Sequence, residues 1–391
     1  MVIVKTYLIT GAAGFIGANY LKYISKLYND IEIIAVDVLT YAGNLLTIEE
    51  ELKSPKIKFE KVDIRDRDEI ERIFNENDID YVVNFAAESH VDKSIKNPRI
   101  FLETNILGTQ NLLECAKRKW TIGKDDEGYP IYKENTRYLQ ISTDEVYGSL
   151  SKDYETSKEL IIKDEIVEKA IKNRKNLKTY GDRFFLETTA INPRNPYSAS
   201  KASADHITIA YSETYKMPVN ITRCSNNYGP YHLPEKLIPL IIRKILENEK
   251  LPIYGKGDSV RDWLYVEDHC KGIELVIKKG RLGEIYNIGG FNEEENINIV
   301  KIIIDILKEE FSKNEKYRNQ FKISVDNINY SLITYVQDRL GNDARYAINP
   351  SKMIRELGWS PETNFDTGIR KTIKWYLENQ KWVETVLRKN I

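Results

Sequence analysis

Tyr197 and Lys201, in the stretch YSASK, stand four residues apart, the spacing that puts two side chains on one face of a helix. A lysine ammonium held there faces the phenol, and a deprotonated phenol is a base suited to oxidising an alcohol. A free phenol titrates near 10, so work at neutral pH needs a drop of roughly three pH units, about 4 kcal/mol. An adjacent ammonium and a positively charged nicotinamide ring are groups able to supply it. Earlier in the chain, ISTDEVYG (141–148) sets a hydroxyl, Thr143, before two consecutive carboxyls, Asp144 and Glu145. Adjacent residues of a regular strand point to opposite faces. Both acids reach one substrate only where the strand has ended and the chain turns. One charged and one neutral carboxyl at such a turn can remove a proton and protonate a leaving group, the two halves of an elimination. The plain alternative is an exposed acidic turn.

A third constellation lies at the N-terminus. TGAAGFIG places Gly11, Gly14 and Gly17 where an apolar strand gives way to a helix. Such a turn lets the backbone approach a pyrophosphate and present it to the positive end of the helix. Asp37 ends the next strand, where an acid holds both hydroxyls of an adenosine ribose and repels the 2′-phosphate of NADP. The expected cofactor is therefore NAD, with Asp63 and Ile64, at the end of the third strand, flanking the adenine.

The elements that must position these groups alternate. Short apolar strands are expected at 6–10, 31–37, 57–64, 80–87 and 137–142, separated by helical segments at 15–28 and 70–77 and a long helix over 98–118. Strands separated by helices imply parallel pairing, right-handed crossovers and a doubly wound, Rossmann-type α/β sheet. Residues 120–136 read as an exposed loop. Residues 149–188 form a charged insertion, read as a surface excursion with a helix capped by Ser157 and an imperfect apolar face. After about residue 225 the pattern changes to Pro- and Gly-punctuated pieces. The expected division is a dinucleotide-binding domain over 1–225 and a smaller α/β substrate lobe over 226–391, some of whose chain returns to the sheet.

Composition excludes several classes. Lys and Arg number 58 against 59 Asp and Glu, so no net field draws the protein to nucleic acid or an anionic membrane. No stretch reaches the ~20 apolar residues of a membrane span. The three cysteines and four histidines show no metal-ligand or disulfide spacing, so no metal is expected. A cytoplasmic location is the expectation.

Taken together, the glycine turn, Asp37, ISTDEVYG and YSASK resemble the extended short-chain dehydrogenase/reductase family. DVLTYAGN (37–44), AAESHVDKS (86–94), NNYGPYHLPEKLIP (226–239) and RDWLYVEDH (261–269) are similar to its nucleotide-sugar 4,6-dehydratases, nearly end to end. The resemblance implies that Tyr197 takes the C4 hydroxyl proton while a hydride passes to NAD, that Lys201 lowers the phenol pKa and holds the ribose, and that Thr143 hydrogen-bonds the C4 oxygen. Glu145 then removes the C5 proton, Asp144 protonates the departing C6 hydroxyl, and the hydride returns to C6. It further implies cofactor contacts from Phe15, Ile16, Val38, Leu39, Thr40, Phe85, Ala86, Ala87, Ser89, Thr104 and Asn227. Substrate contacts would come from Ser89, Asn226, Lys236, Leu237, Pro252, Ile253, Tyr254, Arg261 and Asn296. Lys236 and Arg261 suit a pyrophosphate, and Tyr254 could stack on a pyrimidine. A homodimer paired through helices, one of them bearing Tyr197, is also implied.

The implied substrate is dTDP-glucose. QDRLGNDARYAI (337–348) resembles a substrate-binding loop including Asp338, Arg339 and Asn342, but Asn342 stands where the family usually has histidine. That departure leaves room for UDP-glucose. A nucleotide-sugar 4-epimerase is a further alternative, although epimerases lack acids at the positions of Asp144 and Glu145. A catalytically silent NAD-binding scaffold is the alternative from another class.

Overall fold

The computed structural model describes residues 4–174, 177–338 and 343–389. Seven parallel strands form the central sheet: β1 (Lys5–Thr10), β2 (Ile31–Val36), β3 (Ile57–Glu60), β4 (Tyr81–Asn84), β5 (Arg137–Thr143), β6 (Val219–Cys224) and β7 (Ile285–Ile288). Their order is β7-β6-β5-β4-β1-β2-β3. Side chains alternate across it: Tyr7, Ile9, Ile33, Ala35 and Val83 pack on one face, and Leu8, Ile34, Val36 and Val82 on the other. Both faces are covered, so the strands are buried nearly throughout, and the polar residues they carry, such as Asn84, Gln140 and Asn220, are buried with them. Strand order reverses between β1 and β4. The crevice that opens there, at the carboxyl ends of the strands, is where doubly wound sheets bind ligands.

Helix α1 (Phe15–Leu27) buries Tyr20, Leu21 and Ile24 against the first face. The hydroxyls of Tyr7, Tyr20 and Tyr28 donate to Glu274 at 2.9, 2.6 and 2.8 Å, tying α1 to the later helix Val266–Lys279. On the other face lie α2 (Arg67–Glu76), capped by Asp66, and a long helix α3 built of Pro98–Leu102, Glu103–Gly108 and Thr109–Trp120. Its middle stretch is π-helical, a form that recurs at functional sites. Helix α4 (Pro196–Tyr215) begins with Pro at its first turn and a reciprocal capping box between Asn195 and Ser198.

A second core gathers Ile238, Ile241 and Ile245 from α5 (Leu237–Leu246), Ile299, Val300 and Ile303 from Asn296–Lys313, and Ile369, Ile373 and Leu377 from Phe365–Glu378. Tyr41, Ala42 and Leu46, from the loop after β2, pack onto it. The indole N–H of Trp382 donates to Thr47 at 3.0 Å. The two cores are thereby joined at the edge of the crevice. Among the described residues no helix is long and apolar enough to cross a membrane.

Two stretches differ from expectation. Residues 120–136 contain an antiparallel hairpin, Thr121–Lys124 with Pro130–Tyr132, anchored where the Tyr132 hydroxyl donates to Tyr215 O at 2.9 Å. In the charged insertion Ser157 caps nothing helical; the helix is Glu165–Ile171, capped by Asp164 through Ile166 and Val167 N–H. Its apolar face is split: Val167 and Ile171 are buried, whereas Ile161 and Ile166 are exposed. The insertion is also bound internally. Arg345 pairs with Glu293 at 2.6 Å, both fully buried, and reaches Thr179 Oγ1 and Gly181 O.

Removing one partner strands the other's charge in a dry interior, which typically costs about 3–5 kcal/mol. Glu293→Ala should lower the unfolding free energy by about that amount in urea titration, whereas Glu50→Ala, in the exposed pair with Lys53, should change it by less than ~1 kcal/mol.

Candidate active site

The crevice is a cleft of about 550 Å³. Its floor is made by segments that leave the carboxyl ends of β1, β2, β4, β5 and β6. Gly11, Gly14, Phe15, Ile16, Gly17, Asp37, Val38, Thr40, Asp63, Ile64, Phe85, Ala86, Ala87, Ser89, Thr104, Tyr197, Lys201 and Asn227 all line it. Leu39 does not: its backbone lies in the left-handed region, φ 59°, and its side chain packs against the β1 face core.

The residues present fit a dinucleotide. Gly14 caps α1 without a side-chain bond, and the first turn carries no acid, so the helix's leading amides remain for an anion. A Cβ on Gly11, at φ +65°, would stand 2.8 Å from Ala86 N, and one on Gly17 would stand 2.2 Å from Gly11 O. Only glycine lets these segments close up. The Asp37 carboxylate accepts from Ala13 N at 3.0 Å and Leu39 N at 2.7 Å, which fixes it in the cleft wall. Asp63 is held by a forked Arg65, a lining residue that sequence reasoning missed.

Thr143 ends β5, and Asp144–Tyr147 is a single 3-10 turn closed by Gly148 at φ 88°. The strand has therefore stopped where the two acids begin, and neither is forced onto the far face. Thr143 Oγ1 accepts from Glu145 N at 3.3 Å and hydrogen-bonds the Tyr197 side chain. Glu145 lines the cleft; Asp144 is 2% exposed, lies behind it, and leaves Oδ2 buried without a partner. Burial first, then Glu145 and Asp262, push the Asp144 carboxyl well above its usual range. Burial also raises Glu145, against the pull of Arg261, Lys236 and a hydrogen bond from Asn195. The cations favour charge on Glu145, and the orphaned Oδ2 favours a proton on Asp144.

The tyrosine departs from expectation. Burial, followed by the Glu145 charge, raises the Tyr197 phenol well above 10, the opposite of what a base requires. Lys201 Nζ donates to Ile141 O at 2.6 Å, and burial lowers its own pKa. The chain's own charges keep the phenol protonated, so lowering it is left to positive charge arriving with a bound cofactor.

Other residues not singled out from the sequence hold the site. Asn105, on the π-helical stretch, donates to Glu88 O at 3.0 Å and Ser200 Oγ at 2.8 Å and accepts from Glu88 N, bracing the loop after β4 against α4. His232 stacks on Phe15 at 4.4 Å between ring centres, and burial holds its pKa down to about 3, so it is neutral. His269 Nδ1 meets Asn227 Oδ1 at 2.9 Å. Asn105 lies in no motif and carries no periodic or spacing signal; the two histidines lie inside NNYGPYHLPEKLIP and RDWLYVEDH, whose residue order does not tell what the rings touch.

Of the expected substrate contacts, Ser89, Asn226, Lys236 and Leu237 line the cleft. Pro252, Ile253, Tyr254, Arg261, Asn296 and Asp338 do not; they group beside it in the second lobe. Leu251–Tyr254 pairs with Ile333–Val336, and Asn296 N donates to Ser259 O at 3.1 Å. Arg261 stands over the Tyr346 ring at 4.3 Å and acts on both acids, so it spans the two groups. Arg339 and Asn342 lie outside the described residues. Among the described residues no cluster of His, Cys, Asp or Glu could hold a metal ion.

A glycine turn at the switch of a doubly wound sheet, with Tyr and Lys one helical turn apart beside it, defines a dinucleotide-binding short-chain dehydrogenase/reductase site. The chain belongs to the GDP-mannose 4,6 dehydratase family, whose sequence model matches residues 8–161 and 178–372. It is 47% identical over 97% of its length to dTDP-glucose 4,6-dehydratase of Salmonella typhimurium, covering 94% of that protein. The dTDP-glucose 4,6-dehydratase of Bacillus anthracis in complex with NAD superposes with a TM-score of 0.77 at 39% identity, covering 98% of this chain and 100% of that one. The Streptomyces venezuelae enzyme of the same name, with NAD and TYD bound, gives 0.78 at 37% identity, covering 97% and 99%.

Gly11→Ala should push Ala86 out of the wall. It is expected to weaken NAD binding roughly tenfold or more, read by calorimetry and by the cofactor content of purified protein, with the far-ultraviolet spectrum unchanged.

Proposed function

We propose that the protein is an NAD-dependent dTDP-glucose 4,6-dehydratase, converting its substrate to dTDP-4-keto-6-deoxyglucose with loss of one water. The observation that carries this reading is the Thr143–Asp144–Glu145 turn beside Tyr197: one hydroxyl, one carboxyl poised to stay protonated, and one facing cations. NAD, when bound, supplies a reversible two-electron acceptor, so none is consumed overall. Tyr197 receives the C4 hydroxyl proton, and Thr143 holds the same oxygen. Lys201, freed from Ile141 O, steadies the phenolate and the ribose.

With C4 a ketone, the C5 proton is acidic and Glu145 removes it. Asp144 gives its proton to the C6 oxygen, the C6–O bond breaks, and water leaves. When the hydride taken from C4 is returned to C6, Glu145 gives its proton back to C5. Lys236 and Arg261, whose fields already bear on Glu145, also suit the substrate pyrophosphate. Tyr254, half exposed on the second lobe, offers a ring for the pyrimidine to stack on.

Incubation with dTDP-glucose should yield a product lighter by one water; a 4-epimerase would return an isomer of equal mass. UDP-glucose under the same conditions tests the nucleotide preference. Glu145→Gln and Asp144→Asn should each lower kcat by roughly a hundredfold or more while leaving bound NAD in place. If Glu145→Gln dehydrates at the full rate, the base is another group. Because Asp144 must carry a proton, kcat should fall as pH rises through its raised pKa. Because Glu145 must be ionised, kcat should also fall as pH drops through its own.

We also propose a homodimer paired across α3 and α4, because Ile95, Leu102 and Leu107 are exposed beside α4. Light scattering should give twice the chain mass, and Leu102→Glu with Leu107→Glu should give monomers.

A further inference from the structure

The family's sequence model passes from residue 161 to residue 178, so 162–177 is an extra stretch of this chain. Its described part is anchored rather than draped. Val167 and Ile171 bury against Phe291 and Ile354, and Asp164 pairs with Arg355 at 2.8 Å. Beyond that helix the Arg174 side chain turns inward, and its Nη1 donates to Gly290 O. Gly290 N donates to Asp262 Oδ2 at 2.8 Å, and Asn292 N to Asp262 Oδ1 at 2.7 Å. The turn 289–292 is thus gripped between a carboxylate and a guanidinium. Phe291, inside it, has φ 49°, a left-handed conformation uncommon for a bulky residue, and the extra helix packs on its side chain. A Cβ on Gly290 would fall 2.2 Å from Trp263 O, so the turn lies flat on the strand Val260–Tyr265. That strand carries Trp263 to the cleft wall, and the charges of Arg261 and Asp262 on it both bear on Asp144.

We propose that Arg174 is a positioning residue for the elimination: by holding Gly290 O it fixes the turn that Asp262 grips, and with it the carboxylate whose charge acts on Asp144, the acid that protonates the C6 oxygen. The proposal rests on the dehydratase reading above. Arg174 faces Asp262, Tyr228 and Asp268. Asp262 faces Glu293, the Ser225 hydroxyl and the two backbone amides, and burial raises its pKa to about 6, so it is mostly ionised at neutral pH. Asp144 faces Glu145, Asp262, Arg261 and Thr143. An ionised Asp262 keeps the proton on Asp144. Without the Arg174 cation, Asp262 holds its own proton to higher pH, and Asp144 then releases its proton at lower pH.

The test compares holoenzyme carrying Arg174→Met, Arg174→Gln or Arg174→Lys on dTDP-glucose and on its 6-deoxy-6-fluoro analogue, whose leaving group departs as fluoride with little need of a general acid. Met and Gln should lower kcat on dTDP-glucose roughly tenfold with KM nearly unchanged, and should move the alkaline limb of the pH profile downward. On the fluoro analogue the loss should be below about twofold, and Lys should recover most of the activity. An equal loss on both substrates, an unchanged kcat, or collapse of both neutral variants on unfolding analysis would overturn the proposal and leave the segment a stabilising brace. A wild-type enzyme that removes no water from dTDP-glucose would instead sink the functional reading, and this proposal with it.

Discussion

Two consecutive carboxyl groups cannot both be charged in a dry pocket without a large electrostatic cost. The neighbourhood of β5 is arranged around that limit. The strand stops at Thr143, a 3-10 turn lets both acids face inward, and Asn195, from the cap of α4, reaches Glu145. Arg261 and Lys236 bring positive charge to the same side. What remains is one carboxyl whose burial-driven rise is opposed by two cations and another, deeper, whose free oxygen has nothing to accept from. The pair titrates as a unit, and its division of labour follows from where the cations stand, not from the chemistry of Asp against Glu.

That arrangement needs both lobes. The acids, Thr143, Tyr197 and Lys201 come from the sheet and α4. Lys236 and Arg261 come from the loop and strand that follow β6. Packing of Tyr41, Ala42 and Leu46 on the second core, the Thr47–Trp382 hydrogen bond and the Phe15–His232 stack close the edge of the cleft. Each of these contacts joins a segment that leaves a strand end to a helix or loop of the other lobe. The inter-lobe surface is therefore part of the electrostatics of the site, because it sets how far the cations lie from Glu145.

Much of this was legible in residue order. The alternating strands and helices, the glycine turn, Asp37 and the Tyr-Lys pair carry periodic or spacing signals, and the cleft gathers nearly every residue those signals singled out. The insertion was misread because charge on a surface helix says nothing of its ends: Asp164 caps through two amides, whereas Ser157 lies near a short strand pair instead. The left-handed backbone of Leu39, which packs its side chain on the core beside the cleft, carries no signal in residue order. Asn105 and Asn195 stand in no quoted motif, and His232 and Asp262 stand inside two of them without a role that spacing could assign. What each does depends on long-range hydrogen bonds, a ring contact or a field, and such contacts leave no period in the sequence.

The environment of Tyr197 ties the base to the charge that reaches it. Burial first, and then the charge of Glu145, hold the proton on the phenol. The ammonium one turn away is occupied by Ile141 O, inside the strand end. Had Lys201 alone lowered the phenol, a phenolate would sit beside the Glu145 carboxylate as a second buried anion in a dry pocket. Keeping the proton on Tyr197 and another on Asp144 leaves a single buried anion facing Lys236 and Arg261, which is the distribution that burial tolerates best. The base then forms only where added positive charge offsets a second anion. The same burial that makes Asp144 an acid thus makes Tyr197 dependent on what fills the cleft.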